Sequence, residues 1–162
     1  MEVSLSSASP NGAPSLWKGL IAGLAAGVAA TAAKALAEKL YPPRTHGEPE
    51  PSELLAERIV GHPLNPTTGL VAAESIHWGF GAAAGAFYGA LAEFYPAATS
   101  KEGANFGLVL MGLTHQGVLP AIGLSAPTEQ QSEREQVSEA ATHLIFGVVA
   151  ERVRSIVRDM ID

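Results

Sequence analysis

The stretch from Gly103 to Thr128 contains no Asp, Glu, Lys or Arg, and a soluble chain of 162 residues has little core in which to hide such a run. A lipid bilayer accepts it, because about 20 apolar residues cross the hydrocarbon as one helix. Three further segments can stand beside it. Leu16 to Leu40 holds an uncharged run from Gly19 to Ala33 flanked by Lys18 and Lys34, whose long side chains can reach the headgroups. Leu70 to Tyr95 is uncharged from Trp78 to Ala92, with Trp78 near one end and Phe94 and Tyr95 at the other, where interfacial aromatics belong. Val137 to Ala150 is apolar apart from Glu139 and His143, and Arg152, Arg154 and Arg158 follow it. The last segment is short for a span.

The expected architecture is all-α, a four-helix transmembrane bundle with helices at about 16–40, 70–95, 102–125 and 128–160. Residues 1–15, rich in Ser, Pro, Ala and Gly, read as a flexible tail, and 16–162 as a single membrane domain. Prolines 42, 43, 49, 51, 63 and 66 break up the long connection, leaving room for a short surface helix over Ser52 to Val60 that ends at Gly61. Pro96 to Lys101 is a short turn, so the second and third helices run antiparallel. Pro120 removes a backbone donor and kinks the third helix. Thr128-Glu129-Gln130-Gln131 has the form of a capping box and opens the fourth.

Composition narrows the function. The net charge of -6 and a pI near 5.3 argue against a nucleic-acid partner, which needs a basic surface. Without cysteine there are no disulfides, thiolate metal sites or cysteine nucleophiles. No phosphate loop, dinucleotide fingerprint or activated nucleophile is evident, so an enzyme is not expected. The expected partner is the lipid bilayer. A cleaved signal peptide ending at Ala35-Leu36-Ala37 is the rival reading of the first helix, disfavoured by the scarcity of positive charge before it.

Gly19, Gly23 and Gly27 recur every fourth residue, as do Gly81, Gly85 and Gly89. Each set lines one helical stripe and lets another backbone approach. The expected use of this glycine zipper is packing of the first helix on the second; a homo-oligomer or a larger membrane complex is the alternative. Four spans put both termini on one side. Lys18, Lys101, Arg152, Arg154 and Arg158 on the tail side balance Lys34, Lys39, Arg44, Arg58 and Arg134 on the other, and the C-terminal arginine cluster places the termini in the cytoplasm.

Intramembrane ionisable groups are functional suspects because they are costly to keep there. Glu74 with His77, and Glu139 with His143, are spaced three and four apart, so each pair is expected to share a face. His77 and His143 are each followed by Phe and Gly at equal offsets, which hints at two related helical hairpins. Antiparallel bookkeeping puts these four groups in an outer vestibule, His115 at mid-depth beside the Pro120 kink, and Glu93 and Glu151 at the inner end. The kink would free the Gln116 carbonyl to bind water and continue a proton route.

Gly19-Leu20-Ile21-Ala22-Gly23, Pro42-Pro43-Arg44, His77, Phe80, Tyr88, Glu93, Pro96, His115, Pro120, Ser138-Glu139, His143, Glu151 and Arg154 occur in one order. In these residues the chain resembles the YagU-type inner-membrane proteins of bacteria, a four-span family of unknown function implicated in acid resistance. It departs from them in a tail without basic residues and in a more polar approach to the fourth helix. The resemblance implies the bacterial inner membrane and a role in acid resistance. Three readings of the His and Glu groups stay open: interhelical glue in a structural or complex-stabilising subunit, a proton-responsive cluster, and ligation of Zn, Fe, Mn or haem. The proton-responsive reading is preferred here, with no metal or cofactor assigned.

Overall fold

The computed structural model describes residues 13–45 and 47–161. Among them the chain is helical with no strand: α1 (Leu16–Leu40), α2 (Pro51–Val60), α3 (Pro66–Phe94), α4 (Ala104–Leu113), α5 (Leu119–Ala121) and α6 (Glu133–Met160). α1 packs along both α3 and α6, α4 packs on α6, and α2 on α3. Most of the expected flexible tail, residues 1–12, lies outside the described residues. Ser15 ends the tail as the N-cap of α1, its side chain accepting from the Lys18 amide.

Small residues face inward and large apolar ones outward. α1 buries Gly19, Ala22, Gly23, Ala26, Gly27, Ala30, Thr31 and Lys34 while exposing Leu16, Trp17, Ile21, Leu24 and Val28. α3 buries glycines and Tyr88 but exposes Val71, Phe80, Phe87 and Phe94. α6 buries Ser138, Glu139, Thr142, His143 and Arg158 and exposes Val137, Ile145 and Ile156. This inverts the usual soluble arrangement, in which Leu, Ile, Val and Phe lead the buried residues.

The glycines decide how close the helices come. A Cβ at Gly23 would meet the Gly85 carbonyl, one at Gly27 the Gly81 carbonyl, and one at Gly19 lies 2.7 Å from the Gly89 carbonyl. α1 and α3 therefore touch backbone to backbone. A second such contact joins α4 to α6, where Gly103 and Gly107 lie against Gly147 and the His143 carbonyl. Only the first was anticipated from spacing.

Several boundaries differ from expectation. α3 begins at Pro66, not near 70, because Asn65 caps it by accepting the Thr68 amide at 3.0 Å and Pro66 suits the first helical position. α6 begins at Glu133: Thr128–Gln130 forms only a 3₁₀ turn, and the cap is Ser132, which accepts from the Glu135 amide at 3.1 Å. The turn after α3 extends over Pro96–Gly103 and ends with Lys101, Glu102 and Gly103 in the left-handed region. The expected single third helix is interrupted by a π turn at Thr114–Val118, ahead of Pro120. By length and composition, α1 is the described helix apolar enough to cross a membrane. Glycines and ionisable residues lower the hydropathy of α3, ionisable residues that of α6, and α4 has only 10 residues.

Candidate functional site

Where α1 ends and α6 begins, ionisable groups converge on Glu139, whose side chain is 2% exposed. Lys34 of α1 lies 3.4 Å from its Oε2, and Arg44 of the α1–α2 connection 3.3 Å from its Oε1. His115 Nδ1 is 3.4 Å from Oε1 and His143 Nδ1 3.5 Å from Oε2. The two imidazoles meet edge to face with centroids 5.0 Å apart. Each cation also has a second anchor. Lys34 is in close contact with Glu38 and 3.3 Å from Thr142 Oγ1; Arg44 donates to Glu50 at 2.8 Å and to Glu135 at 3.1 Å.

Local structure explains the aim of each side chain. Glu139 and His143 stand four apart on α6, and His143 Nδ1 is 2.8 Å from the Glu139 carbonyl. A carbonyl only accepts, so that bond fixes the proton on Nδ1 and leaves the lone pair on Nε2. His115 sits in the π turn, where the Leu119 amide bonds Thr114, five residues back. In that register the carbonyl facing residue 120 is that of His115, not Gln116 as a regular helix would require. Pro120 offers no N–H, and Gln131 Nε2 approaches the His115 carbonyl at 3.4 Å instead. The connection above is pinned by Ser138 Oγ donating to Tyr41 O at 2.6 Å and Arg134 donating to Pro42 O at 3.0 Å. Arg134 also lies over the Tyr41 ring, 4.3 Å from its centroid. Beside Arg44 and Glu135 a cavity of about 180 Å³ reaches Leu54, Gly123 and Leu124.

At the opposite end, Arg158 grips Glu93 at 2.5 and 3.3 Å, and the Ser15 amide donates to the same carboxylate at 2.8 Å. Glu151 takes two bonds from Arg154, at 2.7 and 2.8 Å, and one from Tyr88 OH at 2.7 Å. Between the ends lie Ala26, Ala30, Tyr88, Phe146 and Ala150. Twelve residues of α6 separate Glu139 from Glu151, about 18 Å of rise. The middle is an apolar plug. Among the described residues, every buried side-chain nitrogen or oxygen has a hydrogen-bond partner.

Of the residues expected to act together, His115, Glu139 and His143 meet; Glu74 does not join them. Glu74 is exposed on α3 and accepts from Trp78 Nε1 at 2.9 Å. Glu74 and His77 stand about 60° apart around α3, with Glu74 on the more exposed side. His77 is half-buried. His115 belongs to the Glu139 group rather than to a separate mid-depth station. In the sequence Lys34 is a flanking cation, and Arg44 an outer-side charge and part of a resemblance; both reach Glu139. Glu38, Glu50 and Glu135 were not singled out, since nothing in a proline-rich connection or a polar first turn marks them.

A family described as a protein of unknown function, DUF1440, matches residues 28–152. The chain belongs to the DUF1440 family. No curated protein and no solved structure matches it. The matched DUF1440 region includes Lys34, Arg44, His115, Glu139 and His143, and ends before Arg158.

Proposed function

We propose that this DUF1440 protein spans the bacterial inner membrane four times, with cytoplasmic termini, and carries a proton-responsive latch at its outer end. The membrane reading is supported by the inverted packing: Gly, Ala and charged groups inside, Leu, Val, Phe and Trp outside. α1, α3 and α6 have 25, 29 and 28 residues, so each rises beyond the roughly 30 Å hydrocarbon. Counting back 20 residues from Phe94 leaves Glu74 outside the hydrocarbon, which suits its exposure. Carbonate-washed membranes should retain the protein. Its release without detergent would end this reading.

The latch is Arg44, the observation that carries the proposal. From a surface connection it reaches the buried Glu139 and is held from the water side by Glu50 and Glu135. Packing around Glu50 pushes its carboxyl above the usual range; Arg44 pulls it down, Glu38 and Glu139 push it further up, and Lys34 opposes them. The sign follows. Because the folded value is raised, ionised Glu50 disfavours the fold at neutral pH, and that cost is relieved as pH falls through the folded value toward the ordinary one near 4.3. Acid thus relieves the cost of the Glu50 charge and tightens the connection, while Arg44 keeps Glu135 and Glu139. With the Glu50 side chain 57% exposed, the bond is worth about 0.2–1 kcal/mol after screening by water.

In nanodiscs, hydrogen exchange of the connection carrying Arg44 and Glu50, corrected for intrinsic rates, should slow on acidification, because protonated Glu50 favours the closed connection. Glu50→Gln should show the acid-state rate already at neutral pH. Equal protection at both pH values in the wild type would refute the latch. The acid-resistance role of the YagU-type proteins agrees with this reading. A purely structural role is the second reading, supported by the complete pairing of buried polar atoms. It predicts that His77→Gln and His143→Gln lower stability equally at all pH values.

A further inference from the structure

We propose that His115, Glu139 and His143 form a binding site for a divalent transition-metal ion, of which Zn²⁺ is the type. Each residue offers one donor atom, and the three donor atoms lie within 4.8 Å of one another. Two ligands of a tetrahedral zinc are about 3.3 Å apart, given bonds of about 2.0–2.1 Å, so small rotations close this set on an ion. The donors come from two elements, α6 and the π turn, and the π turn is what brings His115 in. Imidazole and carboxylate together suit Zn²⁺, Mn²⁺ or Fe²⁺.

Charge carries the inference further than proximity does. Among the described residues, the bonded cluster contains two cations, Lys34 and Arg44, and four carboxylates, Glu38, Glu50, Glu135 and Glu139. Two positive against four negative leaves -2 with both histidines neutral. A divalent ion balances that sum. Lys34 and Arg44 now stand near the oxygens of Glu139, yet each keeps another carboxylate if it swings away, Glu38 for Lys34 and Glu50 with Glu135 for Arg44. Exchange of these cations for a metal therefore strands no buried charge.

The surroundings orient one of the donors. His143 gives its Nδ1–H to a backbone carbonyl, the outer contact that orients ligating histidines, and so presents Nε2 as the donor. A cavity of about 180 Å³ is lined by Arg44 and Glu135 but by none of the three ligands, so Arg44, which bonds Glu139, stands between that cavity and the site. The site stands on this geometry and not on the acid response of Glu50.

The test is titration of the full-length protein, purified in detergent at neutral pH, with Co²⁺ as the spectroscopic stand-in and Zn²⁺ as competitor. One equivalent of Co²⁺ should give the visible absorption of a four-coordinate N/O site, and Zn²⁺ should displace it. His115→Gln and His143→Gln should each weaken binding about tenfold or more, while His77→Gln leaves it unchanged. Lys34→Met, which frees one oxygen of Glu139, should tighten it, an outcome that a merely structural lysine would not produce. Circular dichroism of each variant checks that the helices remain. Absence of a stoichiometric site in the wild type, or wild-type affinity in both histidine variants, overturns the proposal. The titration at neutral pH does not draw on the acid response of Glu50, so failure here leaves that response standing, and failure of the acid response leaves the site standing.

Discussion

Replacing Gly85 by Leu should leave little folded protein, because it drives α1 away from α3 along their whole contact. A Cβ at Gly85 would already overlap the Gly27 Cα and the Gly23 carbonyl, which are backbone atoms with no rotamer to change. Overpacking a side-chain core costs about 1–3 kcal/mol because neighbours yield. Here nothing nearby yields except the helix itself. Even Gly85→Ala should lower the thermal midpoint in detergent, and Leu should abolish a cooperative transition. Gly79, on the same helix, has open space around its Cβ position. Gly79→Ala should therefore stabilise, by about 0.5–1 kcal/mol, through helix propensity alone. Equal melting of the Gly85 and Gly79 variants would exclude the close approach as a determinant of the fold.

That contrast shows what sequence spacing conveys. Gly19, Gly23 and Gly27 against Gly81, Gly85 and Gly89 were legible because a four-residue period paints one stripe, and antiparallel stripes pair in reverse order. Gly103 and Gly107 against Gly147 were not, since a lone glycine on α6 has no period to betray it. The helix over 16–40 was legible to the residue, and the short α2 to within one. Where boundaries moved, local chemistry outweighed pattern. Asn65-Pro66 started α3 early, and the cap at Ser132 replaced the one expected at Thr128.

The site was legible as a list of groups but not as an arrangement. Sequence alone gives depth through a uniform rise per residue, which holds for an unbroken α-helix. The π turn at Thr114–Val118 breaks that assumption and brings His115 beside Glu139 and His143. Glu74 stays outside the cluster, exposed on α3 about 60° around the helix from His77. Arg44 and Glu50 sit in a connection with no periodicity, so only the folded chain brings them to Glu135 and Glu139. α6 is the common partner: it receives Lys34 from α1, Arg44 from the connection, His115 from the π turn, and Glu93 and Tyr88 from α3.

Removing Arg158 should be the most damaging single change among the ion pairs. Arg158 and Glu93 have side chains only 6% and 5% exposed, and two bonds join them across α6 and α3. Arg158→Met leaves the Glu93 carboxylate buried with the Ser15 amide as its remaining described donor, at a cost of about 3–5 kcal/mol. Pairing that change with Glu93→Gln removes the stranded charge while its amide oxygen can still accept from Ser15. The double variant should recover much of the loss, and a double-mutant cycle in detergent unfolding measures how much. Arg152 and Glu102 supply the contrast: they meet at 2.7 Å, but with side chains 66% and 64% exposed. Arg152→Ala should be close to neutral, because water already solvates both charges. If Arg158→Met proves as mild as Arg152→Ala, burial is not what gives the Glu93 pair its weight, and α3 is held to α6 by its apolar contacts.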